Sequence, residues 1–293
     1  VAIDYRYHIG SFVAVFVALL LGILIGIGLA PNPEEVRTQI ADLRQEYQQT
    51  RTYREAELEV LKEEKRALNE VARETTAFAM TGRLTGRRVA LILGPGLSRE
   101  LADNLRAALT QAGASVTSTT TITRAFAAMP PSLREKVCKR LLLYPPADAP
   151  IRPILAQSIA RDLSQGHSKL ILALQSSGLL EPSPGSTYTT RVDSVVLVGG
   201  KAAENDARPE SIDLPLIEEL KRLGVRVVAG EESQAEYSCI PAYKGEAVPT
   251  IDNLDTLAGR LALVLVLEGA SGHYGAKDTA DRLLPALTYS YQQ

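Results

Sequence analysis

Residues 9–30, IGSFVAVFVALLLGILIGIGLA, carry no charged side chain. At ~1.5 Å per helical residue such a run crosses a hydrocarbon core ~30 Å thick, so it predicts one transmembrane helix. Residues 1–8 form a short tail before it, and everything after it has the composition of water-exposed protein. A cleaved signal peptide is the rival reading, because Gly28-Leu29-Ala30 has the small-x-small form of a cleavage site. The apolar run is longer than a signal peptide's h-region, and Arg6 is the only Lys or Arg ahead of it, so an uncleaved anchor is favoured. Long domains translocate largely regardless of flanking charge, which places the tail in the cytoplasm and the body outside. The Gly22–Gly26 spacing would let two such helices approach closely.

The 293 residues leave room for the helix and one or two folded domains, and a net charge of −2 argues against a nucleic-acid surface. With no tryptophan and 5% aromatics, a stacking platform or sugar groove is not expected. Cys138 and Cys239 lie far apart, without CxxC or metal-knuckle spacing. A disulfide between them and two separate buried thiols are both open.

Outward from the anchor, Pro31-Asn32-Pro33 breaks the helix, and Glu34-Glu35 suit a new helix N-terminus. From Glu34 to Thr81 there is neither Gly nor Pro. Val36, Ile40, Leu43 and Tyr47 step as a heptad seam, which resumes at Leu58, Leu61, Leu68 and Val71. The eleven-residue step from Tyr47 to Leu58 reads as a stutter. Residues 34–81 are therefore expected to form a stalk, ~70 Å long at 1.5 Å per residue, whose seam joins two copies as a coiled coil. A long helix folded back on its own domain is the alternative. Thr50, Arg54 and Lys65 on or near the seam would limit its stability.

Beyond Gly86 the grammar changes. Short apolar runs alternate with amphipathic helices, predicting a doubly wound, mainly parallel, Rossmann-like α/β domain over residues 87–293. The expected strands are Val89–Leu93, Ser115–Ile122 near an edge, Lys169–Leu174, Ser194–Val198 and Arg226–Ala229. The expected helices are Arg99–Ala112 with Ser98 as N-cap, Ser132–Leu142, Ile151–Leu163, Leu214–Leu223 ending at Gly224, and a buried Thr256–Leu267.

The chemistry in these residues is sparse, and the chain is read as non-enzymatic. Gly94-Pro95-Gly96 follows a strand and precedes a helix, but Arg99 stands where GxGxxG needs its third glycine. Val198-Gly199-Gly200-Lys201 lacks the Walker spacing, and Gly230-Glu231-Glu232 would repel phosphate. There is no GxSxG. His8 sits at the membrane boundary and His167 in a loop. His273 could join Asp252, Asn253 and Asp255 in a polar cluster at the end of the sheet; alternatively Asp252 and Asn253 cap the following helix. Soft-metal ligands are few, and the weak metal candidates are Cys239 and His273.

Two stretches carry a resemblance. Tyr5–Leu29, YRYHIGSFVAVFVALLLGILIGIGL, and Ile251–Pro285, IDNLDTLAGRLALVLVLEGASGHYGAKDTADRLLP, resemble the two ends of the mycobacterial MctB-like copper transport family. The resemblance implies a membrane protein of copper transport or homeostasis, with copper as its metal and no ligand motif that maps onto numbered positions. It also implies a second role, because some relatives resemble envelope adaptors that control cell separation through a protein partner. A lone helix without intramembrane charge or thiol offers an ion no path across lipid.

Overall fold

A computed structural model of the chain describes residues 5–29, 33–146, 149–200 and 208–286. Pro31 and Asn32 of the expected joint, the His8 side chain and Lys201 lie outside the described residues. The chain divides into two compact units, Val1–Asn69 and Glu70–Gln293.

The first unit is helical. The apolar run forms α1, Tyr5–Leu29, whose stretch Gly10–Gly28 is long and apolar enough to cross a membrane. The Gly- and Pro-free run forms α2, an unbroken helix over Pro33–Met80 whose last turns belong to the second unit. Opposite charges meet across neighbouring turns of its surface, Lys62 on Glu59 at 2.6 Å and Arg51 on Glu55 at 2.8 Å.

The second unit is an α/β domain. Among its described residues, seven strands make one sheet: β1 (Arg88–Leu93), β2 (Ser115–Ile122), β3 (Leu180–Pro182), β4 (Ser194–Gly199), β5 (Arg226–Glu231), β6 (Thr250–Ile251) and β7 (His273–Tyr274). Their order is β3-β2-β1-β4-β5-β6-β7, parallel throughout except for β3. The helices are α3 (Arg99–Gln111), α4 (Arg124–Ala128), α5 (Pro131–Leu141), α6 (Ile151–Gln165), α7 (Lys169–Gln175), α8 (Leu214–Arg222, entered through a π-helical turn at Pro209–Asp213), α9 (Ile240–Gly245) and α10 (Leu257–Glu268).

The near-continuous apolar strands are explained by two covered faces. Ala90, Ile92, Val195, Leu197 and Val227 face the core under α5, α6 and α8. Val89, Leu91, Val196, Val198 and Val228 face the core under α3, α10 and the end of α2. That end is tied down by buried Met80 and by Arg83, whose Nη1 meets Glu268 at 2.7 Å.

Several expectations hold. Ser98 caps α3, its Oγ accepting from the Leu101 amide at 3.1 Å, and α10 is buried on nearly every side. Others are corrected. Lys169–Leu174 is the helix α7 and not a strand: Ile171 and Leu174 are buried three apart while Leu172 is exposed. Its Leu and Ala content favours helix, and the Asp162 carboxylate accepts the Leu170 amide at 3.1 Å. The true third strand is the three-residue β3, which lies antiparallel outside β2 and takes the edge from it. Two buried hydroxyls of β2 find partners, Thr117 Oγ1 donating to the Val89 carbonyl at 3.3 Å and Thr120 sharing a hydrogen bond with Tyr188 Oη at 2.6 Å. Strands β6 and β7 were not anticipated, since two residues display no period.

Candidate functional site

The order of strands reverses between β1 and β4, where a doubly wound sheet opens a crevice at its C-terminal edge. Gly94 and Gly199 stand at that crevice, where Arg208 and Tyr243 leave a side chain no room. A Cβ on Gly94 would sit 2.8 Å from Arg208 Nη1, and one on Gly199 would meet Arg208 Nη2 at 2.9 Å and collide with Tyr243 Oη. Arg208, 1% exposed, lies across the place where a nucleotide-binding sheet receives phosphate.

Its charge is answered from below. Asp213, fully buried, holds Oδ2 at 3.1 Å from Arg208 Nη1, and Tyr243 Oη donates to the same carboxylate at 2.7 Å. Arg208 Nη2 also reaches Cys239 Sγ at 3.6 Å. Burial pushes the Cys239 thiol up, against the opposing pull of Arg208, and pushes the Tyr243 phenol well above its ordinary range, with Asp213 adding to the rise. Both keep their protons near neutral pH, so Cys239 presents a thiol and no thiolate.

A second ion pair lies alongside, its glutamate buried and its lysine partly exposed. Glu231, at the end of β5, accepts from Lys277 Nζ at 2.6 Å and from the Cys239 amide at 2.9 Å. The glutamate expected to repel phosphate is thus withdrawn from solvent. Lys277 belongs to the segment after β7, which is fastened again by Asp252: its two oxygens accept the Ala276 and Lys277 amides at 2.8 and 3.0 Å. Gly275 is required there, since a Cβ would collide with the Asp252 carboxylate.

The polar cluster expected at Asp252, Asn253, Asp255 and His273 is distributed over separate tasks. Asp252 clamps the last segment, while Asp255 accepts from Ser233 N and Oγ, both at 2.6 Å. Asn253 is buried, and its carbonyl accepts from Thr256. Neither Asp252 nor Asn253 caps α10. That residue is Thr256, whose Oγ1 accepts the Gly259 amide at 3.0 Å. His273 lies on β7 with Nδ1 2.9 Å from Thr250 Oγ1, and burial and Lys244 lower its pKa.

Cys138 and Cys239 are both free, which removes the disulfide alternative. Among the described residues no group of three or more His, Cys, Asp or Glu is arranged to hold a metal ion. Cys239 faces the Arg208 guanidinium and His273 the Thr250 hydroxyl. Buried Arg208, Asp213 and Tyr243, and partly exposed Lys277, escape the sequence reading. The one available signal was the pair of glycine turns that leave it room.

Helices α5 to α7 border a groove of about 870 Å³ whose wall includes Arg140, Leu143, Leu155, Arg161, His167 and Lys169. Leu142, Tyr144 and Leu172 stand exposed in the same region of the chain.

The stalk residues expected to join two copies lie open to solvent: Val36, Ile40, Leu43, Tyr47, Leu58, Leu61 and Leu68 are all exposed. Such a row of apolar side chains is costly in water unless another helix covers it.

A family model described as "Copper transport outer membrane protein, MctB" matches residues 2–285. No curated protein matches the chain.

Proposed function

The chain belongs to the MctB family of copper transport proteins, and we propose that it serves that role as a dimeric, non-enzymatic scaffold at the cell envelope. In this reading α1 anchors the chain, α2 pairs two copies as a coiled coil, and the α/β domain stands outside the cytoplasmic membrane. Copper is moved or managed with protein partners, because Gly10–Gly28, the one span among the described residues apolar and long enough to cross a membrane, carries no charge or thiol to conduct the ion.

The observation that carries the proposal is the exposed apolar row on α2, together with a sheet-end crevice closed by its own Arg208. The test is cellular copper content in a strain whose chromosomal copy carries either Leu43→Asp with Leu61→Asp or Cys239→Ala. The seam variant should disturb copper content and the cysteine variant should leave it unchanged. The reverse pattern would place copper on Cys239 and defeat the scaffold reading.

A second reading, an adaptor for an envelope partner in cell separation, is favoured by the groove along α5–α7, whose lining mixes leucines with Arg140, Arg161, Lys169 and Asp162. It shares the anchor and the stalk and differs in what the body holds.

A further inference from the structure

We infer that the stalk pairs with a second copy of this chain in parallel, along one seam that keeps strict heptad register from Val36 to Phe78. The inference rests on the dimer reading and goes beyond it by fixing orientation, register and extent.

Eight exposed apolar residues of α2 fall on two columns separated by whole heptads. Val36, Leu43, Val71 and Phe78 form one column, and Ile40, Tyr47, Leu61 and Leu68 form the other. No stutter is needed. Leu58, placed in the seam by sequence, falls just beside it, as do Tyr53 and Val60. A sustained seven-residue repeat on a helix of 3.6 residues per turn drifts around a straight helix, so one partner can follow it only by supercoiling to the left.

The end of the seam is the telling part. Thr76 and Met80 are buried against the α/β body, yet Phe78 between them is 78% exposed, on the other side of the helix. Intramolecular packing accounts for the first two and leaves Phe78 unexplained. The heptad column that begins at Val36 arrives at Phe78, so the same partner helix covers both.

Orientation follows from the flanks. In a parallel pair, a residue before one core position meets the residue five later on the other helix. That rule brings Glu46 to Arg51 of the second copy, opposite charges. It also brings Tyr53 to Leu58 of the second copy, an apolar pair beside the polar layers Arg54 and Glu57; Thr50, Glu64 and Thr75 are the seam's other polar layers. An antiparallel pair would instead set the basic column Arg37, Arg44, Arg51 and Lys65 against itself. Membrane helices at the same end of both chains impose the parallel choice as well.

The test is disulfide cross-linking of the full-length protein in membranes, in a Cys138→Ser background, with Leu43→Cys, Leu58→Cys and Phe78→Cys made singly. Facing seam residues should link as dimers, with Leu43→Cys and Phe78→Cys at similar rates and each at least several-fold faster than Leu58→Cys. Linking at Leu43→Cys and Leu58→Cys but not at Phe78→Cys would overturn the unbroken register and leave the dimer standing. No linking at any of the three would overturn the dimer with it.

Discussion

Arg208 and Asp213 form an ion pair, Nη1 to Oδ2 at 3.1 Å, with at most 1% of either side chain exposed. It fills the crevice of the sheet from within and is closed on one side by Tyr243 and on another by Cys239. Taking one member away leaves the other charged and out of water, which costs far more than the pair itself contributes.

Asp213→Ala should therefore destabilise the domain by about 3–5 kcal/mol, measured by urea unfolding of the full-length protein in detergent. Arg208→Met combined with Asp213→Leu should recover much of that loss, because no charge is then stranded. Tyr243→Phe removes one donor and should cost about 1–3 kcal/mol. A cost for Asp213→Ala below that of Tyr243→Phe would show that the pair is not buried as described.

Lys277 fastens the segment after β7 to buried Glu231. Lys277→Met should speed hydrogen exchange at residues 273–282 well before global unfolding, while β1 and β4 stay protected. Uniform exchange across the domain would mean that the segment is no separate strap.

The Glu219 carboxyl is held down to about 2, first by its hydrogen bonds to Arg222 and then by Arg161. A folded-state pKa below the ordinary 4.5 supplies stability that is present above that value and lost as pH falls toward about 2. Asp193, held low by Arg88, acts in the same direction. The unfolding midpoint should drop between pH 4.5 and 2, and Glu219→Gln should flatten part of that slope. An unchanged slope in the variant would dismiss the two-arginine contribution.

Cys138 is half-buried and Cys239 buried. A membrane-impermeant maleimide applied to intact cells should label Cys138 alone, and both thiols after denaturation. Labelling only after the cytoplasmic membrane is opened would reverse the proposed orientation.

The parts most readable from sequence are those whose pattern is long. The uncharged run of α1, the Gly- and Pro-free run of α2 and the apolar strands β1, β4 and β5 each extend far enough to display a period or its absence. Lys169–Leu174 is ambiguous because a short apolar run looks the same on a strand and on a buried helix, and the Asp162 contact that favours the helix is not visible in the sequence. The two-residue strands β6 and β7 carry no pattern at all. The paired charges are hidden for another reason: Arg208, Glu231 and Lys277 look like ordinary surface residues in the sequence, whereas the fold buries the first two and pairs the last with Glu231. The His273 group was suggested by nearness in sequence, whereas Asp252 and Asp255 serve different loops.

Native mass spectrometry of the full-length protein released from detergent addresses the scaffold proposal most directly, because it reads chain number and bound metal on one particle. The expected mass is that of two chains, reduced to one by Leu43→Asp with Leu61→Asp, with no copper whose retention depends on Cys239. A single chain carrying one copper that Cys239→Ala removes would contradict it.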